Sequence, residues 1–137
     1  SQWILIDAAR RRPIALRENL PMYQVIGERV IDTDFPKISE PQKIDEAAEF
    51  FIRFDDIDLN NHVNNAVYPL WASEAVGIDF RAAHTPAEIE IAFKKEGLYG
   101  EDIRVETEFD NLTTIHRIKS TGDGRELARV RICWIGI

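Results

Sequence analysis

The sequence predicts an α+β fold in which an antiparallel sheet packs against one long helix. One strand-like segment and one helical segment are followed by four further segments with strand character. Short turns join these four segments, which makes them antiparallel neighbours in a single sheet. Apolar residues recur at three-to-four spacing along the helical segment, so one face of the helix is expected to be covered by that sheet.

The first strand of the main domain is predicted over residues 48–54, with Phe51 as its last fully buried side chain. It leads into residues 55–65, a polar segment that holds three Asp, four Asn and one His. Polar loops between regular elements are frequent places for binding and catalytic residues. We therefore expect the functional site in this loop.

The helix is predicted over residues 66–76, directly after the polar loop. Asn64 or Asn65 is the expected N-cap, because Asn side chains accept hydrogen bonds from the first free amides of a helix. Gly77 is a natural stop. The residues expected on the buried face are Val67, Leu70, Trp71 and Ala75.

The four remaining strands are predicted over residues 88–94, 103–109, 113–120 and 127–135. The turns between them are predicted at residues 99–102, 110–111 and 122–124, which are rich in Gly, Asp and Asn. A sheet of this order around one helix is a layout of the hotdog type. It leaves an edge and part of a face open, so we expect pairing with a second copy or a second similar domain.

Three regions are predicted along the chain. Residues 1–13 form an arm that begins with an apolar, strand-like run, and residues 14–46 form a proline-interrupted linker. Residues 47–137 form the hotdog domain. The chain of 137 residues is long enough for one domain with one core.

Composition narrows the class of protein. The net charge of -7 argues against broad binding to nucleic acid, which requires a basic surface. No apolar run approaches the roughly 20 residues that a membrane helix needs. Cys133 is the only cysteine, so no internal disulfide can form. These features favour a cytoplasmic protein with no cofactor and no metal held by thiolates.

Asp58, Asn60 and His62 stand at alternate positions in the polar loop. In an extended segment this spacing places all three side chains on one side. The carboxylate can orient its neighbours by accepting hydrogen bonds, the amide can donate a hydrogen bond to a substrate carbonyl, and the imidazole can accept a proton. Together these groups suit hydrolysis of an activated acyl group. The helix that begins just after them is expected to point free backbone N–H groups at the same place.

The same loop also resembles the beginning of an EF-hand calcium loop, from Asp56 to Asn60. That interpretation fails at the sixth position, where Asn61 replaces the required Gly, and at the twelfth, where Val67 replaces the bidentate Glu. A solvated turn is the remaining non-catalytic interpretation of the loop.

The run from Asp58 to Trp71 resembles the D-x-N-x-H-V-x-N-x-x-Y-x-x-W signature of acyl-acyl-carrier-protein thioesterases. Every fixed position of the signature is present, including Tyr68. Downstream, Glu96 stands where this family carries an acidic active-site residue. The resemblance implies that Asp58, Asn60, His62 and Glu96 form the catalytic site.

The resemblance also bears on the nucleophile. Some plant members of the family have a cysteine directly after the acid, whereas Gly97 stands at that position here. Activated water is therefore the expected mechanism, with either His62 or Glu96 as base. Tyr68 and Trp71 are expected in the core, and His84 and His116 on the surface.

The resemblance implies the domain organisation and the partners. Members of the family are tandem hotdog proteins, so the chain is expected to be the C-terminal, catalytic half of such an enzyme. Its expected substrate is a fatty acyl chain on acyl carrier protein, in the step that terminates fatty acid biosynthesis. Candidates for a basic patch that docks the acidic carrier are Arg117, Lys119, Arg129 and Arg131. The alternative is that these residues only solubilise the outer face of the sheet.

Two other functions remain open on the sequence alone. One is a non-catalytic acyl-binding or assembly module, suggested by the absence of a first hotdog half. The other is a hotdog hydrolase that acts on coenzyme A thioesters, which shares the chemistry and differs in the leaving group.

Overall fold

A computed structural model describes residues 5–7, 9–10, 12–15, 19 and 36–137. The chain divides into two units, Ser1–Phe35 and Pro36–Ile137. In the first unit, β1 (Leu5–Asp7) pairs antiparallel with β2 (Arg12–Ile14). Residues 16–18 and 20–35, which make up most of the predicted linker, lie outside the described residues.

The second unit contains a five-stranded antiparallel sheet with the strand order β3-β5-β6-β7-β4. Its strands are β3 (Glu46–Phe51), β4 (His84–Phe93), β5 (Asp102–Asp110), β6 (Thr113–Ser120) and β7 (Glu126–Gly136). The predicted succession of strand, helix and four strands is confirmed. Strand β4 begins earlier than predicted and runs through Pro86, which is tolerated because β4 is an edge strand.

The predicted turns coincide with backbone that requires a positive φ. Gly100, Asn111 and Gly124 have φ values of 84°, 54° and 72°. Gly adopts this conformation without steric cost, and Asn adopts it more readily than most residues. The three turns are therefore encoded locally, which is why short-range sequence signals were sufficient to predict them.

The helix predicted over residues 66–76 is present but shorter than predicted, and a second short helix follows it. A 3₁₀ turn (Phe54–Asp56) is followed by α1 (Val67–Glu74), with Ala75 as C-cap, and by the separate short helix α2 (Ile78–Ala83). Gly77, with a φ of 77°, separates the two helices. No helix in the described part of the chain is long and apolar enough to span a membrane.

The start of α1 also differs from the prediction. Its N-cap is Ala66, while the Asn64 side chain accepts a hydrogen bond from the Ala66 amide at 3.0 Å. Pro69 is the third helical residue. A proline is accepted there because the amides of the first turn have no intrahelical partner to lose.

The buried face of α1 is centred on Trp71 and Ala75, as predicted, together with Tyr68. Leu70 is 65% exposed, so its predicted burial is wrong. An eight-residue helix on one side of a sheet buries a narrow stripe, and Leu70 falls beside that stripe. Tyr68 and Trp71 meet edge to face, with ring centroids 5.4 Å apart, and belong to the core as expected.

The core lies between α1 and the inner face of the sheet. Apolar residues alternate along β7, and those that the alternation places on the inner face are all buried: Ala128, Val130, Ile132 and Trp134. In β3 the prediction is displaced by one position, since Phe51 is half exposed and Ile52 is fully buried. Ile52 continues the alternation of Ala48 and Phe50, which pack against the core, so Phe51 lies on the opposite face.

The expectation of a surface position for His116 is wrong. His116 is fully buried on the inner face of β6, where Nδ1 lies 3.0 Å from Thr107 Oγ1 and Nε2 lies 2.7 Å from Thr114 Oγ1. The Trp134 indole N–H donates to the same Thr114 oxygen at 2.9 Å. We refer to these four residues as the His116 network. His84 is half-buried and stacks on Phe80.

The outer face of the sheet carries a buried carboxylate, Glu106, which is 3% exposed. It contacts Arg117 at 2.6 Å, Lys119 at 2.5 Å and Arg104 at 3.6 Å. Burial alone would raise the pKa of Glu106, but the hydrogen bonds from Lys119 and Arg117 hold it below its usual value. Glu106 is therefore ionised and neutralises cations on two neighbouring strands.

The candidate docking patch is electrically balanced within the described residues. Arg117 and Lys119 contact Glu106, Arg129 contacts Glu126, and Arg131 contacts Glu90. Residues 36–42 cross this face and add further contacts. The Glu40 carboxylate lies 3.5 Å from Arg117 and Arg129, and the Ile38 carbonyl accepts from Arg129 at 3.2 Å.

Glu106→Gln is expected to lower the free energy of unfolding by about 1–3 kcal/mol, because it removes a buried carboxylate that accepts hydrogen bonds from partly exposed cations. Urea denaturation at pH 7 measures the change. Glu49→Gln is the matched control, since Glu49 lies on the same sheet but is exposed and, among residues 36–137, forms an ion pair with Arg104 alone. Equal effects for the two variants would contradict the structural role assigned to Glu106.

Candidate functional site

The polar loop is a closed turn. The Asp58 amide donates to the His62 carbonyl at 2.8 Å, and the Asn61 amide donates to the Asp58 carbonyl at 3.1 Å. A bridge between Ile57 and Val63 closes its base. Asn61 sits at the bend with a φ of 62°, a conformation that Asn tolerates.

The Asp58 carboxylate stabilises this turn by accepting hydrogen bonds from its backbone. Its Oδ1 accepts from the Asn60 amide at 2.7 Å and from the His62 amide at 3.3 Å. The hydrogen bond from the Asn60 amide is the largest cause of a lowered pKa at Asp58, and the His62 amide acts in the same direction. Asp58 is thus ionised at neutral pH, and it fixes the backbone that carries His62.

Because the loop is a turn and not an extended segment, the expected alignment of three side chains on one side does not occur. Asn60 is exposed, and its side-chain nitrogen lies 3.4 Å from Asp58 Oδ2. The structure therefore brings Asp58 and His62 to one cavity and places the Asn60 side chain outside its lining.

His62 meets the downstream acid. Its Nε2 lies 3.2 Å from Glu96 Oε2, with the His62 side chain 32% exposed and that of Glu96 65% exposed. Both side chains line a cavity of about 260 Å³. The other residues that line it are Asp58, Val63, Asn65, Tyr68, Phe93, Lys94 and Lys95. A base and an acid in contact at the wall of an open cavity can exchange protons with a bound molecule.

The backbone after β4 delivers Glu96 to this position. The Lys94 and Lys95 amides both donate to the Leu127 carbonyl, at 2.8 and 3.2 Å. The Gly97 carbonyl then accepts from the Val63 amide at 3.0 Å. This last hydrogen bond joins the Glu96 segment directly to the loop of His62.

Position 97 has no room for a side chain, which explains why a glycine stands there. A Cβ atom there would lie 2.9 Å from Val63 Cγ2, 3.1 Å from Ile52 Cδ1 and 3.3 Å from Leu127 Cδ1. A cysteine at this position, as in some plant members of the family that the sequence resembles, would not fit without movement of the core. The position next to Glu96 thus holds no nucleophile.

Gly97→Ala is expected to destabilise the fold by about 1–3 kcal/mol through overpacking. Thermal or urea unfolding measures the loss. Gly136→Ala is the control, because a Cβ atom at Gly136 meets no atom within 4 Å. Similar stability for the two variants would show that the region around Gly97 relaxes at little cost.

Sequence reasoning did not assign Asn65, Tyr68, Lys94 or Lys95 to the cavity. Tyr68 is buried, and burial raises the pKa of its hydroxyl, an effect that the nearby Gly97 amide partly offsets. Its hydroxyl therefore stays protonated at neutral pH. The signal for Asn65 and Tyr68 was present, since both belong to the same motif as His62. Lys94 and Lys95 resembled an ordinary exposed charge run.

The N-terminus of α1 offers fewer free backbone N–H groups than predicted. Of the first three residues of α1, Val67 donates its amide to the Asn64 carbonyl at 2.9 Å, and Pro69 has no N–H. Within residues 36–137, the Tyr68 amide has no hydrogen-bond acceptor. The first three residues of α1 therefore offer one free amide and not the expected set.

Solved structures share this fold. The 12:0-ACP thioesterase from Umbellularia californica is 20% identical, with a TM-score of 0.79 over 96% of this chain and 53% of that chain. An acyl-ACP thioesterase from Bacteroides thetaiotaomicron VPI-5482 is 17% identical, with a TM-score of 0.75 over 95% and 53%. Slr0204, a 1,4-dihydroxy-2-naphthoyl-CoA thioesterase from Synechocystis, is 14% identical, with a TM-score of 0.60 over 67% and 81%. The predicted hotdog fold is thereby confirmed.

The chain spans about half the length of the first two structures. No curated protein matches it. The family model of the acyl-ACP thioesterase C-terminal domain matches residues 39–136. The chain therefore belongs to the acyl-ACP thioesterase C-terminal domain family.

Proposed function

We propose that this chain is the catalytic half of a thioesterase that hydrolyses fatty acyl thioesters carried by acyl carrier protein. The observation that carries the proposal is the 3.2 Å contact between His62 Nε2 and Glu96 Oε2 at the wall of an open cavity. Membership of the acyl-ACP thioesterase C-terminal domain family supports the same reaction. The site residues of the proposal are Asp58, Asn60, His62 and Glu96.

In the proposed mechanism, His62 takes a proton from a water molecule as that water attacks the thioester carbonyl carbon. A neutral imidazole that donates Nε2–H to Glu96 has Nδ1 as its accepting nitrogen. The Glu96 carboxylate holds this tautomer and stabilises the imidazolium that forms. When the tetrahedral intermediate collapses, the carbon–sulfur bond breaks and the proton passes to the leaving thiolate.

The remaining residues support this step. Asp58 fixes the turn through the Asn60 and His62 amides. The Tyr68 amide, at the start of α1, would donate to the developing oxyanion. Asn60, exposed at the loop, would hold the substrate from outside the cavity. Each role uses a group that the turn or the helix already holds in place.

The proposed partners are an acyl carrier protein and a second hotdog unit. Strand β4 is an edge of the sheet and ends beside the cavity, and Ile89 and Phe93 on it are 41% and 47% exposed. An exposed apolar edge favours pairing with another sheet. The second unit would be either another copy of this chain or an N-terminal half. We place the reaction in the cytoplasm, at the termination of fatty acid biosynthesis.

Release of free thiol tests the proposal. The chain is incubated with a long-chain acyl thioester on acyl carrier protein, and in parallel with the coenzyme A thioester of the same acyl group. Faster release from the carrier protein supports the proposed substrate. Faster release from coenzyme A replaces it with an acyl-CoA thioesterase. Binding or dimerisation without any thiol release contradicts catalysis by this chain and supports a non-catalytic acyl-binding module.

A further inference from the structure

The Glu96 side chain has little packing of its own. It is 65% exposed, and among residues 36–137 His62 is the one residue with which it forms an ion pair. Such a side chain can keep a fixed distance to His62 only if its backbone is held firmly. The segment that needs this support is residues 96–101, which we call the acid loop.

Arg125, on the turn between β6 and β7, reaches the acid loop from the other side. Its Nη2 lies 2.5 and 2.6 Å from the two carboxylate oxygens of Glu101 and 3.4 Å from the Glu96 carbonyl oxygen. Its Nη1 lies 2.7 Å from Asp123 Oδ2. One guanidinium group therefore binds the first residue of the acid loop, its last residue and the turn that carries Arg125.

Glu101 connects the Arg125 contact to the backbone of the acid loop through its own hydrogen bonds. Its Oε2 accepts from the Leu98 amide at 3.0 Å, and its own amide donates to the Leu98 carbonyl at 3.3 Å. Its carbonyl accepts from the Ile52 amide at 2.9 Å. The carboxylate bound by Arg125 is thus also the group that closes the acid loop.

The charge on Arg125 is permanent under all assay conditions. Hydrogen bonds from the guanidinium to Glu101, and then to Asp123, raise the pKa of Arg125 above its ordinary value. The Arg125 side chain is 28% exposed and that of Glu101 is 22% exposed, so water weakens the ion pair less than it weakens a fully exposed pair. Because Nη2 contacts Glu101 and Nη1 contacts Asp123, the two carboxylates together fix the orientation of the guanidinium plane.

We infer that Arg125 is a positioning residue that holds the acid loop so that Glu96 stays in contact with His62. This inference rests on the proposed use of Glu96 in catalysis. Arg125 itself does not line the cavity. Its effect on the reaction would pass through the Glu96 backbone and through Glu101.

Arg125→Gln in the full chain tests the inference, with hydrolysis measured alongside the structure of the variant. We expect kcat to fall roughly 10- to 100-fold, since a displacement of about 1 Å in a catalytic group has effects of this size. KM should change little because Arg125 does not touch the cavity. Arg125→Lys keeps one cationic contact to Glu101 and should recover part of kcat. Asp123→Asn is the control, because it removes an Arg125 contact outside the acid loop and should retain kcat.

Two further measurements separate positioning from general stability. The His62–Glu96 distance, from a crystal structure of Arg125→Gln, should exceed hydrogen-bond length, and amide hydrogen exchange at Leu98 should become faster. An unchanged distance with unchanged exchange overturns the inference, whatever the activity. If Arg125→Gln does not fold, Glu101→Gln serves as the second variant and is judged by the same distance.

The outcomes also distinguish this inference from the proposed function. A wild-type chain that releases no thiol contradicts the proposed function, and the distance and exchange measurements then decide the positioning role alone. An active wild-type chain whose Arg125→Gln variant keeps full kcat supports the proposed function and overturns the positioning role.

Discussion

His62→Ala is expected to reduce the rate of thioester hydrolysis by about 10²–10⁴-fold, the usual contribution of a positioned general base. Glu96→Gln keeps the shape of the acid but removes the charge that stabilises the imidazolium, so it is also expected to lower the rate of hydrolysis. Neither change should unfold the protein, because both side chains are partly exposed. Colorimetric detection of free thiol measures the rates, and circular dichroism verifies the fold.

His84→Ala is the matched control. His84 is half-buried, stacks on Phe80 and lies outside the cavity lining, so its loss should leave turnover unchanged. The double variant His62→Ala with Glu96→Gln should be little slower than the worse single variant, because residues that act as a unit are not additive. Full turnover by His62→Ala would remove the basis of the hydrolase assignment. Effects that multiply would show that His62 and Glu96 act independently.

The strands and turns were predictable because their signals are local. Alternation of apolar residues along β7 identified the inner face, and Asn111 and Gly124 marked turns that need a positive φ. Each of these features depends on a few neighbouring residues. The short turns correctly predicted β5, β6 and β7 as antiparallel neighbours. They did not predict the position of β4, which pairs with β7 and not with β5.

Burial on the outer face of the sheet was not predictable from alternation. Charged residues alternate with apolar ones along β5, and this pattern predicts that Glu106 lies on the polar face, but it does not reveal that Glu106 is buried. Its burial depends on Arg117 and Lys119 from the neighbouring strand β6. Contacts between different strands carry no signature within a single segment.

In the candidate site, too, local features were predictable from the sequence and contacts between separate elements were not. The conformation of the polar loop was predictable in principle, since Asp commonly accepts hydrogen bonds from amides two residues ahead, as Asp58 does from Asn60. The contact between His62 and Glu96 was not, because these residues lie on different elements and no periodicity links them. The resemblance to a known family supplied Glu96, and the hydrogen bond from Val63 to Gly97 supplies the physical reason for its position.

Stability is expected to fall as the pH is lowered from neutral, because His116 is buried without charge. Burial lowers the pKa of His116 from 6.5 to about 3. The unfolded chain therefore binds a proton between these two values that the folded chain does not bind. Stability due to this group is complete above pH 6.5 and is lost progressively as the pH falls towards 3. The loss amounts to about 2 kcal/mol at pH 5 and about 4–5 kcal/mol at pH 3.

The His116 network explains the direction of this effect. Neutral imidazole needs one donor and one acceptor, which the hydroxyls of Thr107 and Thr114 can both supply. A protonated ring would donate from both nitrogens, and Thr114 Oγ1 would have to accept from it while also accepting from Trp134. Among the four residues of the network there is no carboxylate to balance the charge.

Urea unfolding of the wild type and of His116→Gln between pH 7.5 and pH 5 measures the effect in a range where most carboxylates remain ionised. His116→Gln should cost about 1–3 kcal/mol at pH 7.5, through imperfect hydrogen bonds to the two threonines. The variant should then lose less stability than the wild type as the pH falls, because the proton-binding difference at residue 116 is gone. Parallel slopes for the wild type and His116→Gln would contradict the prediction. They would show that His116 binds a proton equally well in the folded and the unfolded chain.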